Sequence, residues 1–435
     1  MAPRKLGKAQ VDASSSVVIP ELGGVPRKGA LAQVRGIMQK VFPKEQSAEV
    51  RIDENRLTQS HPHLSTGSMM IDFVIGGIPN QRGVLPCPGF PRGRLINIYG
   101  AESSGKTTLA LTAAAETCRR GEEVCYIDWE HAIDIAYAKS LGVPVEDPDQ
   151  FLLVQPETLE KGMSYLWGMA KGGVALIIID SVAAGATKAQ WDQTLAEKGE
   201  IGRVGAKAAK WSEYLPQLKA LIARTNSCIV GISQLRSKID TGYNKSGGDG
   251  TTQQGGWAWK FYSEVRMGLR KIQTEKGKSY DPLTHQTIET PIGNVVVAKV
   301  DKCKVAASQG REAKIFIRYG EGIDDVRSVI EICANRGIVK KSGSWYAWER
   351  SDGTSVRGQG LDSFKAEVLR TPGAWDELHR AGLAALAVSP DTGTEVPDDI
   401  DEDGMVADDT IREIQAIMDG GMPGQDPAAL EPSDE

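Results

Sequence analysis

No uninterrupted apolar run in these 435 residues is long enough to cross a bilayer. The start, from Met1 through Lys8 to Ser14-Ser15-Ser16, also lacks the apolar stretch of a secretory signal, so a cytoplasmic location is expected. Cysteine is scarce and scattered. Cys87, Cys118, Cys125, Cys228, Cys303 and Cys333 show no CxxC spacing, and four of them lie in apolar or strand-like contexts, so neither a disulfide nor a zinc site is expected. An excess of basic residues is missing too: 51 Lys and Arg face 57 Asp and Glu, for a net charge of −6. That balance argues against a nucleic-acid partner only until its distribution is read. Asp398, Asp399, Asp401, Glu402, Asp403, Asp408 and Asp409 crowd a C-terminal stretch with Arg412 as its lone cation. Without that stretch the chain is slightly basic, and local basic patches could bind phosphates.

The length exceeds what one hydrophobic core usually organises, so a principal domain with smaller appendages is expected. Residues 1–27 mix basic, Ser, Gly and Pro residues and read as a disordered basic extension. Leu31, Val34, Ile37, Met38 and Val41 then recur at helical spacing. The apolar stripe of that helix must be covered, either by a neighbouring subunit or by its own domain. From about residue 64 to 322, short apolar strands alternate with helical segments: Leu95–Tyr99, Val124–Asp128, Ala175–Asp180, Cys228–Ser233 and Val295–Val300. Near-continuous apolar runs of this length suit strands covered on both faces, hence a mostly parallel sheet with helices on each side. Gly83–Gly93 reads as a loop. Residues 323–390 carry a second, small α/β pattern, and 391–435 read as an acidic flexible tail.

Gly100, Ala101, Glu102, Ser103, Ser104, Gly105, Lys106 and Thr107 fit GxxxxGK[ST] between the strand Leu95–Tyr99 and a helical segment that begins at Thr108. In that setting backbone N–H groups and a helix N-terminus face phosphate oxygens, Lys106 reaches the terminal phosphates, and Thr107 supplies a ligand for Mg²⁺. Downstream, an apolar strand ends in Asp180, the place of the second magnesium-organising group. Another strand ends in Asp128-Trp129-Glu130-His131. A carboxylate there could orient and deprotonate a water beside the γ-phosphate, or it could be an exposed Glu before a helix. Farther on, strand alternation would put Lys302 and Lys304 on one face with Cys303 on the other. Two like charges side by side make sense opposite a strong anion, although an exposed strand with two solvated lysines fits the same spacing.

Taken together, Ala101 to Thr108, Ile127-Asp128-Trp129-Glu130-His131-Ala132, Asp180-Ser181-Val182-Ala183-Ala184, Ser233-Gln234-Leu235-Arg236 and Tyr319-Gly320-Glu321-Gly322-Ile323 resemble the bacterial RecA recombinases in order and spacing. Ser65-Thr66-Gly67 matches as well. The resemblance runs from about Leu64 to about Ala387. It implies an α/β RecA-type P-loop ATPase core with a mostly parallel sheet at 64–322, an N-terminal oligomerisation helix and strand at 28–63, a small C-terminal α/β domain at 323–390, and the acidic tail. It implies Glu130 as catalytic base, Asp134 and Tyr137 at the adenine, and Gln234 as the sensor between γ-phosphate and DNA. Thr108 joins the ATP-binding set. Lys302 and Lys304 match a pair that completes the ATP site of the adjacent subunit.

DNA contact would come from two loops. The first, roughly Gln190–Gly205, holds Trp191, Lys198 and Arg203 and departs from the family's usual sequence. The basic helix that follows it in the family is replaced here by a different pattern with Lys207, Lys210 and Pro216. The second loop, roughly Arg236–Gly255, carries Arg236, Lys238, Lys245 and Gly255 with the adjoining Gly256, and is longer than usual. A Gly-rich basic loop can order around a sugar-phosphate backbone, and it can also be a plain surface loop. The implied activity is ATP-dependent pairing and strand exchange on a helical filament, with single- and double-stranded DNA as partners. Stimulated self-cleavage of a LexA-type repressor in the SOS response and cooperation with a single-strand-binding protein are implied in the same way. Two rivals share parts of the pattern: a hexameric helicase-like motor, revealed by rings that unwind a fork, and an ATP-binding filament scaffold without hydrolysis.

The acidic tail generates the first prediction, because mobile carboxylates compete with phosphate for basic surface. Truncation after Ser389 should speed loading onto duplex DNA, most visibly at low salt. Equal loading rates for truncated and full-length protein at low salt would leave the tail a solubility element.

Overall fold

The structure, a computed structural model, describes residues 60–79, 84–195, 206–237, 251–253, 257–281 and 285–387. The expected basic extension, the helix at 31–41 and the acidic tail lie outside the described residues. The central sheet is built from β3 (Leu95–Gly100), β4 (Val124–Asp128), β5 (Phe151–Val154), β6 (Leu176–Asp180), β7 (Cys228–Ser237), β9 (Val265–Asp281), β10 (Gln286–Cys303), β11 (Glu312–Arg318) and β12 (Gly322–Ile323), with β8 (Thr251–Gln253) folding back on β7. Strand order is β12-β11-β10-β9-β3-β7-β6-β4-β5. The six strands from β9 to β5 are parallel, whereas β10, β11 and β12 extend the sheet antiparallel. The Val295–Val300 run therefore belongs to an antiparallel extension. β9, absent from the sequence reading, is the strand that joins this extension to the parallel part.

Period-two alternation explains the continuous apolar runs. On β4, Val124 and Tyr126 enter one core and Cys125 and Ile127 the other; on β6, Leu176 and Ile178 oppose Ile177 and Ile179 in the same way. The first core is closed by α1 (Met69–Gly76) and α2 (Lys106–Arg119), the second by α4 (Leu159–Gly172), α6 (Ala206–Thr225) and α7 (Trp257–Tyr262). All six cysteines are free and five are buried; burial pushes the Cys125 thiol up to about 12, which keeps it protonated and inert.

The Pro- and Gly-rich stretch is a loop in its described part up to Gly89, after which β2 (Phe90–Pro91) pairs with β1 (His63–Leu64). The stretch expected as a loop from Gln190 instead begins as α5 (Lys188–Leu195). Thr187 and Gln190 form a reciprocal cap there: Gln190 N donates to Thr187 Oγ1 at 3.3 Å, and Thr187 N to Gln190 Oε1 at 3.1 Å. The second expected loop also starts late, because Arg236 and Ser237 pair with Thr252 and Thr251 across the β7–β8 ribbon.

The C-terminal portion packs α8 (Asp325–Asn335), α9 (Leu361–Arg370) and α10 (Ala374–Ala387) with a small antiparallel sheet of β13 (Lys340–Ser342), β14 (Trp345–Glu349) and β15 (Ser355–Gln359). Its own core, centred on Val329, Trp348 and Phe364, recruits Met69 from α1. Asp325 fastens the junction by accepting a hydrogen bond from Met69 N at 2.9 Å. One turn on, the half-buried Asp72 accepts from Ser65 Oγ at 2.5 Å, Thr66 Oγ1 at 2.6 Å and Thr66 N at 2.8 Å. Among the described residues no helix is long and apolar enough to cross a membrane.

Burial raises the Asp72 pKa from 3.8 to about 7, with the hydroxyl and amide donors opposing and the Asp325 charge adding. A folded pKa above the unfolded one means that the folded state holds the proton longer. The stability this contributes is complete below the unfolded value and is lost as pH rises through about 7. Urea midpoints should therefore drop between pH 6 and pH 8 more in the parent protein than in Asp72→Asn, and parallel pH dependences would contradict the assignment.

Candidate active site

Parallel strands deliver their carboxyl ends to one edge of the sheet, and there Gly100 of β3, Gln234 of β7, Asp180 of β6 and Asp128 of β4 line up. The register pairs Gly100 with Gln234 and Asp128 with Asp180. The loop after β3 turns sharply, with Ser103 at φ 57° and Gly105 at φ 90°, before α2 begins at Lys106. A Cβ on Gly100 would overlap the Leu269 carbonyl and Ser104 Oγ, and one on Gly105 would overlap Ile317 Cδ1. The backbone thus curls around space that a phosphate chain can fill, at the start of a 14-residue helix.

Lys106 is buried, and its ammonium donates to the Ala101 carbonyl at 2.6 Å and lies 3.5 Å from Ser104 Oγ. Burial lowers its pKa, while Asp180, Glu130 and Glu102 pull it back up. Thr107 Oγ1 donates to Asp180 Oδ2 at 2.9 Å, and the Tyr126 hydroxyl donates to the same oxygen at 2.7 Å. Burial raises the Asp180 pKa, the two hydroxyls oppose it, and Glu130 and Asp128 reinforce it. A hydroxyl and a carboxylate in contact form a hard-oxygen pair suited to a magnesium ion that takes its remaining ligands from phosphate and water. Among the described residues no group of three His, Cys, Asp or Glu side chains could hold a metal ion.

Glu130 is exposed just past β4, and Gln234 reaches it from β7, its Nε2 3.3 and 3.4 Å from the two carboxylate oxygens. Asp128 fixes the backbone beneath: its oxygens accept from Glu130 N at 3.1 Å, Ile133 N at 3.3 Å and Gln155 Nε2 at 3.0 Å. Asp134 caps α3 (Ile135–Ser140) by accepting from Tyr137 N at 2.9 Å, and the Tyr137 hydroxyl meets Thr108 Oγ1 at 3.1 Å. The pair expected at the adenine is thereby tied to the start of α2. Ser140 Oγ then donates to the Gly320 carbonyl at 3.0 Å, which joins the Tyr319–Ile323 segment to α3.

Lys302 and Lys304 sit elsewhere. Val265, the partner of Cys303, also pairs with Ile96, so these lysines lie near the amino ends of β9 and β3, opposite this protomer's own P-loop. From Ile96 to Gly100 the strand alone spans about 13 Å. Alternation holds for Cys303, which packs on the core, but β10 is bulged between Val300 and Lys302 and ends at Cys303, leaving Lys304 exposed beyond it. Lys302 Nζ donates to the carbonyls of Lys260 at 3.1 Å and Phe261 at 2.8 Å. Of the expected DNA contacts, Arg203, Lys238, Lys245, Gly255 and Gly256 lie outside the described residues, and Arg236 is placed only by its strand pairing.

Tyr126 and the anchoring role of Asp128 were missed by the sequence reading. The available signals were a lone phenol in an otherwise aliphatic and thiol strand and a carboxylate two residues before Glu130.

Known proteins resemble this chain over most of its length. The sequence pattern described as the RecA N-terminal domain matches residues 30–324. Protein RecA of Corynebacterium diphtheriae is 35% identical over 412 residues, covering 92% of this chain and 97% of the relative. Protein RecA of Borrelia hermsii is 35% identical over 357 residues, covering 81% and 89%. A solved structure described as the RadB recombinase aligns over 60% of this chain and 98% of its own at 22% identity, with a TM-score of 0.40.

Replacing Lys106 with Ala removes the ammonium that the loop aims at transferred phosphate. Nucleoside-triphosphate hydrolysis should fall by at least about 100-fold, with thermal unfolding little changed. Undiminished turnover in Lys106→Ala would remove this loop from the chemistry.

Proposed function

The chain belongs to the RecA family, an ATP-dependent recombinase acting in recombination and repair and a DNA-dependent ATPase, and from this premise we propose how its residues divide the work. ATP lies with its phosphates in the Gly100–Thr107 loop and its base between Asp134 and Tyr137. Lys106 holds the terminal phosphates. Thr107 and Asp180 would hold magnesium, which would supply positive charge against the phosphates. Glu130 orients water for in-line attack and takes its proton.

The contact between Gln234 and Glu130 is the observation that carries this reading. Gln234 belongs to the strand that continues through Arg236 toward the expected second DNA segment, so its amide can exchange the Glu130 carboxylate for a γ-phosphate oxygen and report the change along β7. Backbone charge and base stacking hold any single strand, and Watson–Crick pairing supplies specificity. By family resemblance, the same filament stimulates self-cleavage of a LexA-type repressor and works beside a single-strand-binding protein.

The placement of Lys302 and Lys304 supports a site shared between subunits. Lysines at the sheet edge opposite their own P-loop can meet a γ-phosphate only on another protomer, and a contact between two different surfaces propagates head to tail into a helix unless it closes a ring. Strand exchange between circular single-stranded and linear duplex DNA, dependent on ATP, tests the activity. For the shared site, Glu130→Ala and Lys302→Ala proteins should each hydrolyse little ATP, and their mixture should recover activity wherever an intact Glu130 meets an intact Lys302. A mixed filament showing only the sum of the separate rates would rule the shared site out.

A further inference from the structure

Val182 stands at a crossing of three elements. It follows Asp180 by two residues, its N–H donates to the Ile232 carbonyl of β7 at 2.9 Å, and its carbonyl accepts from the Trp211 indole N–H at 3.0 Å. Ile232 is in turn two residues before Gln234. The same turn is gripped a second time from α6: the Lys207 ammonium donates to the Ala183 carbonyl at 3.0 Å and the Ala184 carbonyl at 3.2 Å. Lys207 and Trp211 are four residues apart, so one helix face makes all three contacts.

The Lys207 head is half-buried and forms no ion pair among the described residues, its two bonds going to main-chain oxygens. Burial lowers its pKa. Desolvating an ammonium is costly, and spending it on carbonyls immediately after the Asp180 strand fixes that turn more firmly than a neutral donor would. Trp211 is fully buried and packs edge-on against Trp129 with ring centroids 6.1 Å apart, and Trp129 directly precedes Glu130. Trp259 of α7 continues the stack, its centroid 5.2 Å from that of Trp211.

The frame around these contacts is stiff. Glu160 of α4 accepts from Lys188 N of α5 at 2.8 Å and pairs with Lys210 of α6 at 3.1 Å. The helices on either side of residues 196–205 are therefore held by one carboxylate. The start of α6 thus touches the Val182–Ala184 turn through Lys207 and Trp211 and the Trp129 ring through Trp211.

We propose that Lys207 and Trp211 are positioning residues that couple DNA binding to ATP hydrolysis, acting through the Val182–Ala184 turn on Asp180 and Gln234 and through Trp129 on Glu130. The proposal rests on the DNA dependence of hydrolysis and adds a route through α6 beside the one along β7.

The test compares parent protein, Lys207→Met, Lys207→Arg and Trp211→Phe in full-length form, measuring ATP turnover with and without a thymidine homopolymer, binding to that polymer, and thermal unfolding. Lys207→Met keeps the aliphatic stem and loses the charged donor. It should lower DNA-stimulated turnover about tenfold, the scale of one charged hydrogen bond, while DNA-independent turnover, the KM for ATP and polymer affinity stay near parental values. Lys207→Arg should recover most of the stimulation, and Trp211→Phe, which keeps a ring and loses the N–H, should share the defect of Lys207→Met. Full stimulation in both Lys207→Met and Trp211→Phe overturns the proposal. So does a loss of polymer affinity in proportion to the lost stimulation, which would make Lys207 a DNA contact, or an equal loss of turnover with and without DNA, which would make it merely structural. A parent protein that DNA fails to stimulate would instead bring down the DNA-dependent reading itself, and this proposal with it.

Discussion

Strand polarity is the constraint from which the rest of the molecule follows. Six strands running the same way must present all their carboxyl ends at one edge, and the crossing connections place helix N-termini at that same edge. The P-loop, Asp180, Glu130 and Gln234 come from four different strands yet share that edge without any long-range search. The same polarity sends the Lys302 region to the far edge, because β10 runs back along β9. One protomer thus carries the Gly100–Thr107 loop at one edge of the sheet and Lys302 and Lys304 at the other.

Desolvation and charge oppose each other at the carboxyl ends of β3 and β6. Asp180 is half-buried with Thr107 and Tyr126 as its donors, and Asp128 and Glu130 lie close enough to raise its pKa further. Lys106 is itself desolvated and leans on the Ala101 carbonyl. A desolvated carboxylate is eased by an approaching cation, and a desolvated ammonium by an approaching anion. On the other face of the sheet Trp129, Trp211 and Trp259 pack edge to face and fill the space between the turn after β4 and two helices.

Much of this was legible in the chain. The P-loop reads directly because its glycines and its Lys-Thr pair answer to the geometry of one phosphate chain, and Asp180 and Glu130 read because each ends an apolar run. The four-residue β5 went unread, while β3, β4, β6 and β7 were visible as continuous apolar segments. β9 was not, because Val265, Met267 and Leu269 alternate with Arg266, Gly268 and Arg270 and no continuous run forms. The α5 helix was overlooked although Thr187-Lys188-Ala189-Gln190 spells a capping box, since a loop had been expected there from the family pattern.

What the sequence determined by itself is the local chemistry: which residues can cradle phosphate, which can act as a base, and which segments bury both faces. Those properties depend on neighbours a few positions away. Tertiary structure alone decided that Gln234 meets Glu130 across a sequence separation of 104, that Tyr126 shares Asp180 with Thr107, and that Lys207 spends its charge on Ala183 and Ala184. It also decided that Lys302 faces away from its own nucleotide site. Pairings of this kind are set by strand order and helix docking, which sum many weak contacts over the whole core, and no window of sequence contains that sum.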